Sequence, residues 1–197
     1  MATNRLLMAE LILRYEDSKA GPDTLRVKKL PEADKGGDWE ICGICDGIEP
    51  RVFHSIERMI AVGNREGAWK ECCKYVLKNT ESVRAWVFSK QGWQGVEFFL
   101  RDHYFNAGAR STAKILQRAI NEHGGNLKVD GLFGGKSHVA LGAVACSEGE
   151  FLASLYEKRN DFYRDCRQFG VFGKGWLNRS EKCYKDAMRE FVDNKLL

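Results

Sequence analysis

Residues 4–16 of the chain read NRLLMAELILRYE and define the first element of the fold. Apolar side chains occur on almost every side of this segment at helical spacing, and no alternating strand pattern interrupts them. The stretch therefore predicts a largely buried helix. That helix delivers Glu16 at its end.

The segment that follows, residues 17–47, no longer has helical apolar spacing. Gly21-Pro22, Pro31 and Gly36-Gly37 separate two β-prone runs, TLRVKKL and WEICGIC. Glycine and proline at such points indicate turns, so the segment predicts a loop or an irregular hairpin. We expect an active-site cleft beside it.

Beyond Glu49 the apolar spacing becomes helical. A face of Ile115, Leu116, Ala119 and Ile120 marks one helix, which Gly124-Gly125 ends, and Ser147 with Glu150 forms a capping box that starts another. Further helices are predicted over residues 50–62, 66–79, 92–105, 147 to about 167, and about 177 to 192. The predicted fold class is mainly α (α+β), helical with a small β-hairpin near the N-terminus.

The composition is that of an ordinary globular protein, with 197 residues, 44% hydrophobic and 29% charged. The longest apolar run, Leu6 to Leu13, is interrupted by Glu10 and is too short for membrane insertion. A net charge of +4 falls short of a nucleic-acid footprint. No secretory signal is evident. We expect a monomer made in a cytoplasm, with no nucleic-acid partner.

The carboxylates around the predicted hairpin suit the hydrolysis of a glycosidic bond. That reaction needs an acid at the leaving oxygen and a second carboxylate that assists water or stabilises the oxocarbenium-like transition state. Glu16, followed by a loop with Asp34, Asp38 and Glu40, has this layout. Most carboxylates are solvated surface groups, so the layout alone does not decide the function.

Three blocks in the second half carry a resemblance to a known family. RDHYFNAG, residues 101–108, is similar to a FDxxxNSG pattern through Asp102, Asn106 and Gly108. A pattern LQRA…VDGxxGxKT is matched by residues 116–119, 129–131, 134 and 136, with Ser137 in place of threonine. FYRDCRQFGVFGKGWLNR, residues 162–179, is similar to FYR…F…FGxGWLNR. Together these blocks resemble the glycoside hydrolase family 108 muramidases and the peptidoglycan-binding motif that accompanies them.

The N-terminal motif of that family, EGGY…DPGGxTxxGI, is matched in outline. Glu16 stands at the glutamate that serves as catalytic acid, while Asp17 and Ser18 replace the two glycines. Residues 34–37, DKGG, resemble DPGG, and Gly43 with Ile44 resembles the closing GI. Glu40 stands where the family has threonine. The resemblance thus implies Glu16 as the acid and leaves Asp34 and Glu40 as alternatives for the second carboxylate.

The resemblance also implies a lysozyme-like architecture and a function. Residues 1–105 would form the catalytic lobe, and residues 106–197 a helical, peptidoglycan-binding part packed on it. The implied activity is that of a phage-type endolysin that cleaves the β-1,4 bond between N-acetylmuramic acid and N-acetylglucosamine of bacterial peptidoglycan. It needs no cofactor and no metal. Such an enzyme stays in the host cytoplasm until its release to the periplasm and cell wall.

Four further residues are candidates for substrate binding. Asp102 and Asn106 lie one turn apart on a predicted helix, although Asn106 alternatively ends that helix before Gly108. Trp93 is an aromatic candidate for stacking on sugar rings, as are Tyr104 and Trp176, and the alternative for each is a place in the core. Asp130 lies in VDGLFGG, which presents a wall-recognition groove or is a turn that only needs glycine.

The seven cysteines leave a second interpretation open. Cys42 and Cys45 have metal-ligand spacing, and Cys72, Cys73 and His54 are possible partners in a zinc site. A second CxxC pair is missing, so we interpret most of the cysteines as free thiols. The rival functions are a non-catalytic peptidoglycan-binding or secretion-accessory protein of the same fold, and a metal-binding interaction module.

Overall fold

The computed structural model describes residues 2–31 and 36–195. They fall into two units, one ending at Asn79 and the other starting at Thr80. The division expected from sequence, between residues 105 and 106, lies within a helix. The assignment of catalysis and wall binding to separate parts of the chain stays a prediction.

In its described residues, the first unit combines three α-helices with a small sheet. Its central feature is the packing of α3 (Arg65–Asn79) against both α1 (Ala2–Glu16) and α2 (Pro50–Ala61), through buried side chains such as Ile12, Phe53 and Val76. Burying an aliphatic or aromatic side chain of this size stabilises a fold by about 1.5–3 kcal/mol. The elements are α1 (Ala2–Glu16), a 3-10 turn (Pro22–Thr24), β1 (Lys28–Lys29), β2 (Trp39–Ile41), β3 (Ile44–Cys45), α2 (Pro50–Ala61) and α3 (Arg65–Asn79).

The sheet is antiparallel, with the order β1-β2-β3. Lys28 pairs with Glu40, and Ile41 pairs with Ile44 across the second hairpin. The two residues between β2 and β3, Cys42 and Gly43, have φ of 49° and 78°. Positive φ at both central positions matches the right-handed twist of the strands, as in a type I′ turn. The WEICGIC run is therefore a tight hairpin.

The second unit is built from five helices in the part of it that the structure describes. α5 packs against α7 and α8, which also pack on each other around Phe98, Leu155 and Cys183. The elements are α4 (Glu81–Trp86), α5 (Gln94–Glu122), α6 (Gly135–Ala143), α7 (Glu148–Arg164) and α8 (Phe169–Ala187), followed by short π and 3-10 turns at Met188–Val192 and Asp193–Lys195.

Local signals explain several boundaries in this unit. α5 is interrupted at Gly108, whose φ of 77° only glycine adopts without strain. The Ser147 hydroxyl accepts from the Glu150 amide, and the Glu150 carboxylate accepts from the Ser147 amide. The predicted capping box is confirmed.

The predicted start of the last helix near residue 177 is wrong, because α8 begins at Phe169. Glycine is a poor helix former, and residues 170, 173 and 175 are glycines. At the buried Gly173 a β-carbon would come 2.5 Å from the Phe169 ring. Packing of that ring on the glycine thus overrides the propensity. The short helices α4 and α6 were not predicted.

The mainly α prediction with a small β element near the N-terminus is confirmed, and the fold is consistent with a lysozyme-like architecture. Across residues 2–31 and 36–195, none of the helices combines the length and the hydropathy that a membrane span requires.

Candidate functional site

Glu16 is the last residue of α1 and is half-buried. The helix closes just behind it, where the Asp17 amide donates to the Leu13 carbonyl at 3.1 Å. Upstream, Ile12 and Leu13 are fully buried, so the end of α1 is anchored in the core. The predicted end of this helix at Glu16 is confirmed, but α1 is buried on one face only, and Leu6 is 44% exposed. The catalytic role of Glu16 stays a prediction.

Asp17, which replaces a glycine of the resembling motif, ties the helix end to the sheet. Its buried carboxylate lies 2.8 Å from the Lys28 ammonium and 3.3 Å from Arg26, and it accepts from the Lys19 amide. The hydrogen bond from Lys28 is the main cause that lowers the pKa of Asp17 below its ordinary value. β1 is thereby held beside the end of α1. No sequence signal predicted this ion pair of Asp17.

Glu40 lies in the central strand β2, directly opposite Lys28 on one side and Cys45 on the other. Residues paired across antiparallel strands point to the same face of a sheet. Glu40 therefore shares a face with Lys28, whose ammonium pairs with Asp17.

The pKa of the Cys42 thiol depends on the carboxylates that lie near it. Burial raises its pKa to about 12, and the negative charges of Asp17, Glu40 and Glu16 add to the effect while Lys28 opposes it. All three carboxylates are therefore close enough to act on one sulfur atom. The fold thus places Glu16 and Glu40, which are 24 positions apart in the sequence, each near Cys42.

Asp34 lies outside the described residues. The loop on its C-terminal side is organised by Asp46, whose Oδ1 accepts from the amides of Asp38 and Trp39 at 2.9 and 3.1 Å. Gly37 has a φ of 124°, and a β-carbon there would come 2.0 Å from Asp46. Glycine is thus required by this turn, and Asp46 was missed by sequence reasoning.

In the second unit, Gln117 clamps the VDGL loop. Its Nε2 donates to Asp130 Oδ1 and to the Leu132 carbonyl, both at 3.0 Å, and its Oε1 accepts from the Gly131 amide at 2.9 Å. Gly131 has a φ of 79°, and a β-carbon there would come 2.6 Å from Arg110. The LQRA and VDG blocks therefore form one structural unit.

A groove, here named the loop groove, lies beside this clamp and has a volume of about 340 Å³. Its walls include Gln117, Lys128, Asp130, Lys136 and Ser137. A second groove of about 520 Å³, here named the apolar groove, adjoins it and shares Leu127, Gly135 and Lys136 with it. The turn predicted as a wall-recognition loop thus borders a concave surface.

Residues 111–181 match the family model described as a predicted peptidoglycan domain. The matched stretch starts in α5, contains α6 and α7, and ends in α8. It includes the Gln117 clamp and both grooves. The match supports an association of this chain with peptidoglycan.

The whole chain was also compared with curated proteins and with solved structures. No curated protein matches the chain. The solved structure of Brucella abortus SagA is similar over 97% of this chain and 98% of that one, with a TM-score of 0.62 and 17% sequence identity. At this identity the likeness shows the fold alone.

Asp102 is fully buried, and two arginines neutralise it. Its Oδ2 accepts from Arg159 at 2.6 Å, and its Oδ1 accepts from Arg179 at 2.7 Å. Burial opposes ionisation, but the charges of Arg179 and Arg159 and their hydrogen bonds outweigh it and lower the pKa of Asp102 to about 2. Asp102 joins α5 to α7 and α8. Its substrate-binding role stays a prediction.

The other candidate residues lie at partly or fully exposed positions. The exposed Asn106 donates from its side chain to the Asp102 carbonyl at 2.8 Å. Trp93 packs on Phe151, with ring centroids 5.1 Å apart, and the Lys90 ammonium lies over its ring. Their contact with a substrate stays a prediction.

All seven cysteines, which fall within the described residues, are free thiols, where the sequence predicted this of most of them. The described part of the chain has no group of three or more His, Cys, Asp or Glu arranged to hold a metal ion. His54, one proposed zinc ligand, is exposed and bonds Glu57 at 3.0 Å.

The Gln117 clamp leads to a prediction on stability. We expect Gln117→Leu to lower the free energy of unfolding by about 2–3 kcal/mol, because it leaves the buried Gly131 amide without an acceptor. Gln91→Leu, at an exposed position, is the control and should change it by less than about 0.5 kcal/mol. Urea unfolding followed by circular dichroism measures both. Equal stabilities would contradict the clamp.

Proposed function

We propose that this protein is a peptidoglycan hydrolase that cleaves the β-1,4 bond between N-acetylmuramic acid and N-acetylglucosamine, with Glu16 as the general acid. The observation that carries the proposal is the position of Glu16 at the anchored end of α1, in the same unit as the sheet whose central strand holds Glu40. The peptidoglycan-domain match supports the polymer as the substrate.

In this proposal Glu16 donates a proton to the glycosidic oxygen while the bond from that oxygen to the anomeric carbon breaks. The sugar ring then carries the positive charge of an oxocarbenium-like transition state. Glu40 stabilises that charge or removes a proton from the attacking water. Lys28 and Asp17 are positioning residues, since their ion pair holds β1 beside the end of α1.

Glu40 is the better supported second carboxylate. It lies in the central strand of the sheet, with a partner strand on each side. A site on a rigid strand keeps its geometry more closely than one on a loop. Asp34, the alternative, lies outside the described residues.

We expect Glu40→Gln to lower the rate of glycan cleavage at least about tenfold, because the amide carries no charge to stabilise the transition state. Asp38→Asn, at an exposed position directly before β2, is the matched control and should stay within about threefold of wild type. The measurement is the initial rate of reducing-end release. A large loss in Asp34→Asn together with none in Glu40→Gln would assign the role to Asp34 instead.

A specific observation favours a second function, that of a non-catalytic peptidoglycan-binding protein. The ion-paired Asp17 occupies a position where the resembling catalytic motif has glycine, and the peptidoglycan-domain match begins only at residue 111. On this alternative the protein would bind sacculi without cutting them.

The products of digestion distinguish the candidates. Purified sacculi are incubated with the protein, reduced with borohydride and analysed by mass spectrometry. The proposal expects soluble fragments that end in reduced N-acetylmuramic acid. Fragments with reduced N-acetylglucosamine or anhydromuramic acid ends would contradict it. Binding to sacculi without any soluble fragment would support the non-catalytic alternative.

A further inference from the structure

The loop groove contains the first turn of α6, which no side chain caps. The N-cap residue is Gly134, and the first turn contains no acidic residue. The amides of Gly135, Lys136 and Ser137 therefore lie at the positive end of a nine-residue helix. Such amides favour an anion, although a helix end alone does not make a binding site.

Ser137 is the second and independent observation. It is only 4% exposed and lines the loop groove. Within the part of the chain that the structure describes, its hydroxyl makes no hydrogen bond. Ser137 Oγ is not among the fully buried side-chain atoms that lack a partner in the described residues, so it is accessible from the groove. The hydroxyl of this otherwise buried residue is therefore placed to bond a polar atom of a ligand in the groove.

The charged side chains that line the groove indicate which chemical group a ligand presents to Ser137. Lys128 and Lys136 line the groove, and both are exposed. Asp130 is the carboxylate among the groove residues, and its Oδ1 already accepts from Gln117 and Leu132. Those hydrogen bonds, led by the one from Gln117, lower the pKa of Asp130, so it is ionised. The groove thus offers several donors for a carboxylate and one acceptor for an amine or amide.

The apolar groove next to it fits short aliphatic groups. Leu127, Val139, Ala140 and Ala143 line it, and Val139 is 76% exposed. Among the residues that line the two grooves there is no aromatic side chain. Sugar rings are usually bound by aromatic stacking, whereas alanine methyl groups need only small apolar surfaces.

We propose that these two grooves bind the peptide stem of peptidoglycan, with a free carboxylate of the stem at Ser137, Lys136 and the α6 amides and its alanine methyl groups against Val139 and Ala140. Asp130 then accepts from an amine or amide of the same stem. The proposal rests on the peptidoglycan association within the proposed function and is independent of the cleavage chemistry.

The binding test uses the full chain and three soluble probes in titration calorimetry. These are a stem tripeptide with free carboxylates, the same peptide with its carboxylates amidated, and peptide-free glycan strands. We expect the free tripeptide to bind at least about tenfold more tightly than the amidated one, on the scale of a charge-assisted hydrogen bond. Equal binding of the two peptides, or tight binding of the glycan alone, would overturn the proposal.

Substitutions of groove residues test where the tripeptide binds. Ser137→Ala and Lys136→Ala should each weaken tripeptide binding by roughly three- to thirtyfold, on the scale of one lost polar contact. Gly135→Leu should abolish it, since a β-carbon at Gly135 meets nothing within 4 Å and the leucine fills the groove without strain. Lys174→Ala, an exposed lysine of α8, is the matched control and should bind as wild type does.

The experiments test the cleavage proposal and the groove proposal independently of each other. If the groove variants bind the tripeptide as wild type does, the ligand assignment is wrong, whatever the reducing-end assay gives. If sacculi release no reducing ends while the free tripeptide binds and Gly135→Leu does not bind it, the cleavage proposal fails and the groove proposal stands. Thermal unfolding of Gly135→Leu confirms that the loss of binding is not a loss of fold.

Discussion

Glu16→Gln is expected to lower the rate of glycan cleavage by a factor of about one hundred or more, with the fold unchanged. Glutamine matches glutamate in size but has no proton to give to the leaving oxygen, and general acid catalysis typically contributes 10²–10⁴. The measurement is the rate of reducing-end release from purified sacculi, next to the circular dichroism spectrum of the variant.

The matched control for Glu16→Gln is Glu66→Gln, at an exposed glutamate of α3 that pairs with Lys70. This control should keep wild-type activity. A rate for Glu16→Gln within about tenfold of wild type would show that Glu16 is not the acid.

Asp102→Ala is expected to be the most destabilising of the substitutions considered, by about 3–5 kcal/mol. Removing one partner of a buried ion pair leaves the other charge without compensation, and here the guanidinium of the fully buried Arg159 remains. Urea unfolding measures the loss. Asp161→Ala, an exposed aspartate of α7 paired with Arg164, is the control and should cost less than about 0.5 kcal/mol.

The two variants also test the role predicted from sequence for Asp102. If Asp102→Ala is as stable as wild type but no longer binds sacculi, the residue binds substrate and the ion pairs with Arg159 and Arg179 are not needed for the fold. A large loss of stability in Asp102→Ala, with none in Asp161→Ala, supports the structural role.

The ion pairs of Asp102 with Arg159 and Arg179 predict that stability depends on pH in the acidic range. The pKa of Asp102 is about 2 in the folded protein, below its ordinary value of 3.8. A carboxylate with a lowered pKa stabilises the fold fully above its unfolded pKa, and the stabilisation is lost as the pH falls through the folded value. We therefore expect the urea midpoint to fall between about pH 4 and pH 2, and to fall less in Asp102→Asn.

Signals that lie within one turn or one hairpin were predictable from the sequence. The end of α1 at Glu16, the hairpin of WEICGIC and the capping box at Ser147 each depend on residues that are close in the chain. Repeated apolar spacing or a reciprocal pair of side chains defines such elements locally. They were therefore recoverable without knowledge of the tertiary structure.

Contacts between distant residues were not predictable in the same way. Helical spacing to Asn106 made Asp102 a candidate for substrate binding, but its partner Arg179 lies 77 positions away in the sequence. The pairing of Asp17 with Lys28 likewise depends on where β1 docks. Gln117 and Asp130 belong to motifs that the sequence matched. Only the structure showed the hydrogen bond that joins their side chains.

The burial of the thiols determines how the chain responds to oxidants. In the proposed function the protein works on the cell wall and meets oxidants there, and oxidation of a cysteine proceeds through its thiolate. Burial raises the pKa of the Cys42 and Cys73 thiols to about 12 and also raises that of Cys72 and Cys183. These four sulfur atoms therefore stay protonated and shielded. We expect the core of this chain to resist disulfide formation and sulfenylation without any structural disulfide to protect it.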